Sequence, residues 1–221
     1  SSNKNAANEA FQKAADYYSE LISAGIKNGS LYYNLGNTYV RLHKIGFAIL
    51  NYRRSLLYSP NNQQVWYNLD YARSLQKNGF ESNTENEVLH IIFFLHYLIP
   101  ISIKVTILIV VNAAFWLFLI LRRFGYKWNI PLVVALIILL FSAASVFVDM
   151  RNSKVLHGVV TADETIGRLG DNKSYESAFD GSLYDGVEFT VKQRRAGWVL
   201  AELPDNNLVW IEGEDCMIIE E

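Results

Sequence analysis

The spacing of hydrophobic residues changes character twice along the chain. Through the first third, apolar residues recur every three to four positions, the period of an amphipathic helix. One stripe runs over Ala7–Ala24 with Ala14, Tyr18 and Leu21 on it, and new ones start at Gly29 and at Gln63. Two stretches, Val105–Leu121 and Ile130–Val148, then carry no charge at all. As helices rising about 1.5 Å per residue they would measure roughly 26 and 28 Å, close to one hydrocarbon core each. The last third alternates with period two, most clearly at Val187, Phe189 and Val191 and at Val199, Ala201 and Leu203. Strands are expected over Val155–Val160, Val187–Lys192, Trp198–Leu203 and Leu208–Ile211. Turns are expected at Arg194-Arg195-Ala196-Gly197 and Pro204-Asp205-Asn206-Asn207.

Counted in a register of about 34 residues, Gly29–Asn62 resembles a tetratricopeptide (TPR) repeat: Tyr32, Leu35-Gly36, Tyr39, Ala48, Tyr52 and Pro60 fall where that repeat needs them. Gly36 and Ala48 are small where two helices cross closely, and Pro60 stops the second helix. A half-repeat from Gln63, with Trp66 and Leu69 in place but Asp70 at the small position, reads as a terminal capping helix. Most of these aromatics are core. The residues left for a partner are those on the inner face of each first helix: Tyr33, Asn37 and Arg41, then Tyr67, Tyr71 and Ser74. Tyrosine and arginine are residue types that anchor interfaces.

The eight residues between the apolar runs, Arg122–Asn129, carry three positive charges and no acid. Basic residues collect in short cytoplasmic loops, so this loop is expected to be cytoplasmic and both chain ends to lie outside. An outside N-terminus implies an export signal, expected to be absent from the sequence as given. The stretch 88–103 is apolar and aromatic but contains His90, His96 and Pro100. It reads as an interfacial helix; read instead as a third span, it would put the N-terminal part in the cytoplasm. Asn112 is the one strongly polar residue inside the spans. It is expected to hydrogen-bond across the helix pair near Ser142, where Ser142-Ala143-Ala144-Ser145 permits close approach.

Charge is segmented although the net value is only −2. Residues 155–221 hold five basic residues against fourteen acids, which argues against nucleic acid as a ligand. Within them, Gly197–Asn206, Val209-Trp210-Ile211 and Cys216-Met217-Ile218-Ile219 resemble a bacterial SH3-type domain, a small barrel, with Leu183-Tyr184-Asp185-Gly186 before its middle strand. The family's arginine-containing first-loop element is reduced to Ile166-Gly167-Arg168-Leu169-Gly170. Trp198 and Trp210 are core or groove-rim aromatics of that barrel. Cys216 is the only cysteine, so no intrachain disulfide and no cysteine-based metal cluster can form.

The expected architecture is therefore a multidomain membrane protein. It comprises an all-α TPR-type module over 1–78, an acidic linker over 79–87 and an interfacial helix over 88–103. Transmembrane helices over 104–121 and 130–148 flank a basic loop over 122–129, and a small all-β SH3-like barrel occupies 155–221. This order of parts, and the run Ala24–Asn37, is similar to the BatE-like family of the Bacteroides aerotolerance (Bat) group. The resemblance implies a bacterial inner-membrane protein with periplasmic domains. Its implied partners are Bat proteins with von Willebrand A-type domains and a MoxR-type ATPase complex. The leading functional expectation is a scaffold that binds other proteins; the alternative is an envelope sensor whose barrel binds peptidoglycan or a stem peptide. No phosphate loop, nucleophile elbow or zinc-protease motif is present, so neither enzymatic activity nor a cofactor or metal is expected.

Overall fold

A computed structural model of the chain describes residues 2–77, 99, 101–125, 129–152 and 155–220. These residues form six helices and a small antiparallel sheet region. They fall into two compact units: one unites the helices before residue 78 with the strands after residue 155, and the other contains the two long apolar helices.

The first unit begins with α1 (Ser2–Ser23), α2 (Gly29–Arg41), α3 (Ile45–Tyr58) and α4 (Gln63–Ser74). Asn28 and Asn62 cap α2 and α4: their side-chain oxygens accept from Leu31 N and from Gln64 N and Val65 N. Only three residues join α2 to α3, and His43 takes a left-handed φ of 59° to make that turn. Small residues mark a close helix crossing. Ala48 is fully buried, and a Cβ at Gly36 would lie 2.7 Å from the Tyr52 ring, so glycine lets that ring lie against α2. Val65, Leu69 and Ala72 of α4 close the same core. In α1 the buried residue is Ala15, with Ala14, Tyr18 and Ile22 beside it. Leu21, expected on this stripe, is exposed because Ile22 takes the inward position.

The strands are β1 (His157–Val160), β2 (Glu164–Thr165), β3 (Leu183–Tyr184), β4 (Glu188–Arg195), β5 (Trp198–Glu202), β6 (Leu208–Glu212) and β7 (Cys216–Ile218). Five form an antiparallel sheet in the order β6-β5-β4-β1-β7, and β2 pairs with β3. The period-two pattern places Val199, Ala201, Leu203, Val209 and Ile211 in one core with Phe189 and the buried Cys216. Val191 is only partly buried, because the register of β4 against β5 shifts between Val191 and Gln193. The β4–β5 hairpin turns through Ala196 and Gly197, both at positive φ, the conformation that matches strand twist.

β1 explains why helices and sheet are one unit. Successive residues of a strand point to opposite faces. Val159 accordingly joins the helical core with Ile45, Ala48 and Leu69, while Val160 joins the sheet core. A strand buried on both faces reads in sequence as the uninterrupted run Val159-Val160.

The second unit contains α5 (Ile101–Arg123) and α6 (Asn129–Asn152), packed against each other. Ile101–Arg123 and Ile130–Val148 are long and apolar enough to cross a membrane, and most of their surface is exposed. The expected interfacial helix over 88–103 lies outside the described residues except for its end, and Ile101–Ile103 belong to α5. The linker 79–87, His90 and His96 also lie outside them. The expected Asn112–Ser142 contact is not formed. Ser142 is buried and its hydroxyl donates to Ile138 O within its own helix, whereas Asn112 is exposed. Helical periodicity accounts for the difference, since Leu108, Val111 and Phe115 are the less exposed side of α5 and Asn112 sits one residue off it.

Candidate functional site

The expected inner face divides by height. On α2, Tyr33 and Asn37 are half-buried, and Asn68 of α4 ties them together. Its amide donates to Asn37 Oδ1 at 2.8 Å and to Tyr33 Oη at 3.1 Å. Asn37 Oδ1 also accepts from Tyr52 Oη at 2.7 Å. Burial, together with Tyr33, pushes the Tyr52 phenol up to about 12, so it stays a donor over the ordinary pH range. Tyr33 and Asn37 therefore brace α2 against α4. Asn68 was not marked by the repeat pattern, which aligns it with Asn34, an exposed position.

On α4 the picture is different. Tyr67 is 75% exposed and Tyr71 52%, one helical turn apart, with Ser74 exposed below them. Ser74 Oγ donates to Tyr71 O, which holds the last turn. Arg41 is exposed at the end of α2. Trp66 is 40% exposed where its register partner Tyr32 is buried, and its ring nitrogen donates to Pro60 O. The opposite side of α4 is locked by Val65, Leu69 and Ala72. This places two large, stiff aromatic side chains in solvent on a well-held helix.

Trp198 and Trp210 lie on the outer face of the sheet, opposite the Val199–Ala201 row, and each is half-buried. Leu200 is paired with Trp210. Arg168 exchanges two backbone hydrogen bonds with Trp210, so the loop before β3 runs along that edge. Neither tryptophan belongs to the buried core of the sheet.

The seam between helices and sheet carries charges that the sequence reading did not connect. Glu188 of β4 accepts from Arg53 Nε at 2.5 Å and from Arg73 Nε at 2.7 Å. Burial alone would raise this carboxyl, but the two guanidiniums outweigh it and hold it below its usual value. At the start of α3, Lys44 supplies no side-chain cap, and Asp185 does so from across the seam: its Oδ1 accepts from Gly46 N at 2.8 Å. A Cβ at Gly46 would lie 2.2 Å from Val160 O, so glycine is what lets the strand approach. Gln76 donates to Gly186 O beside it. A cleft of about 470 Å³ opens here, lined by His43, Ile45, Leu75, Lys77, Asp163, Tyr184 and Asp185, with the Lys77 ammonium 5.2 Å over the Tyr184 ring. Among the described residues no three His, Cys, Asp or Glu side chains group to hold a metal.

Compared with known proteins, the chain matches no family model, no curated protein and no solved structure.

Asp185 gives the seam a pH dependence. Burial raises its carboxyl to about 6, against the Gly46 and Ile45 amides, which favour the charged form. A carboxyl raised on folding adds stability that is complete below its unfolded value and lost as pH rises through the folded one. Stability should therefore fall by about 1–2 kcal/mol between pH 4 and 7, after allowing for partial exposure. Asp185→Asn keeps an acceptor for Gly46 and removes the charge. In denaturation of the detergent-solubilised chain it should flatten that slope and match or exceed the wild type at pH 7.5. An unchanged slope, or a weaker variant at pH 7.5, would show that the charged form is the better cap.

Proposed function

We propose that this chain is a membrane-anchored scaffold whose helical and sheet parts form one head that binds partner proteins. The observation that carries this reading is the pair Tyr67 and Tyr71, exposed on a helix whose other side is fixed. Tyrosine offers large contact area at low entropy cost, and it is enriched in interface anchors. The helix pairs and the strand meander are read as a TPR-type module and an SH3-like domain. The order of parts resembles that of the Bat group, which suggests von Willebrand A-type Bat proteins and a MoxR-type ATPase complex as partners in a bacterial inner membrane.

Packing supports the topology. The helices before residue 78 and the strands after residue 155 share a core, so they must stand on the same side of any membrane. An even number of crossings between them satisfies this. A third span at 88–103 would separate halves that pack together, which favours the two-span reading. With Arg122, Arg123 and Lys127 in the connecting loop, the head falls on the outer, periplasmic side.

Two experiments test the proposal. Tyr67→Ala combined with Tyr71→Ala should weaken partner binding about thirtyfold or more, the loss of roughly 2 kcal/mol typical of a central anchor, while the melting temperature moves by only a few degrees. Co-purification that survives the double change would remove this face from the interface. For topology, cysteines at Ser30 and Asp205 should react with an impermeant thiol reagent in cells with a permeabilised outer membrane, and a cysteine at Phe124 should not. Labelling at Phe124 alone would invert the anchor.

A further inference from the structure

The exposed amide of Asn112 poses a physical problem that the hairpin does not solve. Asn112 is the twelfth residue of the 23-residue α5, about 16 Å from either end. If α5 spans a membrane, as proposed above, this amide sits near the bilayer centre, beyond the reach of water. There an unpaired polar group costs several kcal/mol. Among the described residues its own helix pair gives it no hydrogen bond, and Ser142 is turned onto its own backbone. Ile109 and Trp116, three residues before it and four after, are 64% and 59% exposed beside it, so the surface around the amide is open to a further helix.

We propose that this surface pairs α5 with α5 of a second copy, the two Asn112 amides exchanging hydrogen bonds. The chemistry selects this occupant. A primary amide is both donor and acceptor, and is therefore complementary to itself. Copies inserted with the same topology carry Asn112 at the same depth, so a two-fold axis along the membrane normal brings the two amides together without any adjustment in height. A charged partner side chain would pay a larger cost to reach that depth. Interhelical amide contacts of this kind are an established source of association between membrane helices.

The test uses the full chain in the membranes of the cells that express it. Ile109→Cys should give a disulfide-linked species of twice the chain mass on mild oxidation. Ile107→Cys, on the less exposed side of α5, should not, and neither should the unmodified chain, whose Cys216 is buried. Adding Asn112→Leu to Ile109→Cys should weaken self-association about threefold to thirtyfold, the range of single interhelical polar contacts. Adding Asn112→Gln, which keeps an amide, should preserve most of it. Carbonate extraction of each variant separates the proposal from the reading beneath it. A chain that stays in the membrane but crosslinks equally well with Leu, or only to a species of another mass, overturns the α5–α5 contact alone. A chain that carbonate releases overturns the membrane span, and the contact with it.

Discussion

The Glu188 carboxylate, held between Arg53 of α3 and Arg73 of α4, is the contact on which the head depends. It sits on the first residue of β4, so one side chain fixes two helices against the strand that runs next to β1. Such a cluster is a weak net source of stability, because desolvating three charges offsets most of their attraction. What the cluster does is tie α3 and α4 to β4 at one point, where removing one partner and leaving the others unpaired is costly. The apolar contribution comes from β1, whose Val159 and Val160 are fully buried in different cores. Gly46 makes both possible by allowing backbone-to-backbone approach, and Asp185 caps the helix that the approach leaves uncapped.

This arrangement changes what the parts of the chain are. Read in order, the sequence suggests a helical module and a small barrel, each tethered to a membrane hairpin. Packed, they share a core, and the hairpin becomes an excursion between two halves of one head. The tyrosines on α4 are then carried by a body larger than four helices, which holds that face steadier than isolated helices could. The sheet also engages Arg73 and Gln76, near the end of α4, so the last described helix is tied to the strands as well as to α3.

The elements were legible in the sequence wherever the signal is local. Gly36 and Ala48 mark a close helix crossing, alternation in Val199, Ala201 and Leu203 marks a strand, and an Ala-Gly turn marks a hairpin. Tyr67 and Tyr71 were legible for the same reason, since helical period alone separates them from Leu69. What escaped was non-local. Arg53 and Arg73 meet Glu188 across 135 and 115 residues, and Gly46 meets Asp185 across 139. A lone glutamate in an acidic segment gives no hint that two arginines await it. Tyr33 and Asn37 were expected to be free for a partner, but Asn37 accepts from Tyr52 of α3 and both accept from Asn68 of α4, contacts that depend on how the helices sit together and that periodicity does not encode. Asn112 was misplaced by one helical position, enough to turn it from the helix pair to the outside.

The measurement that bears most directly on the single head is amide hydrogen exchange of the detergent-solubilised full chain with and without Glu188→Ala. If helices and sheet are one body, exchange should rise together in α3, the last turn of α4, β1 and β4. If exchange rises only in the strands while α3 and α4 keep their protection, the two parts are independent modules and the shared head is wrong.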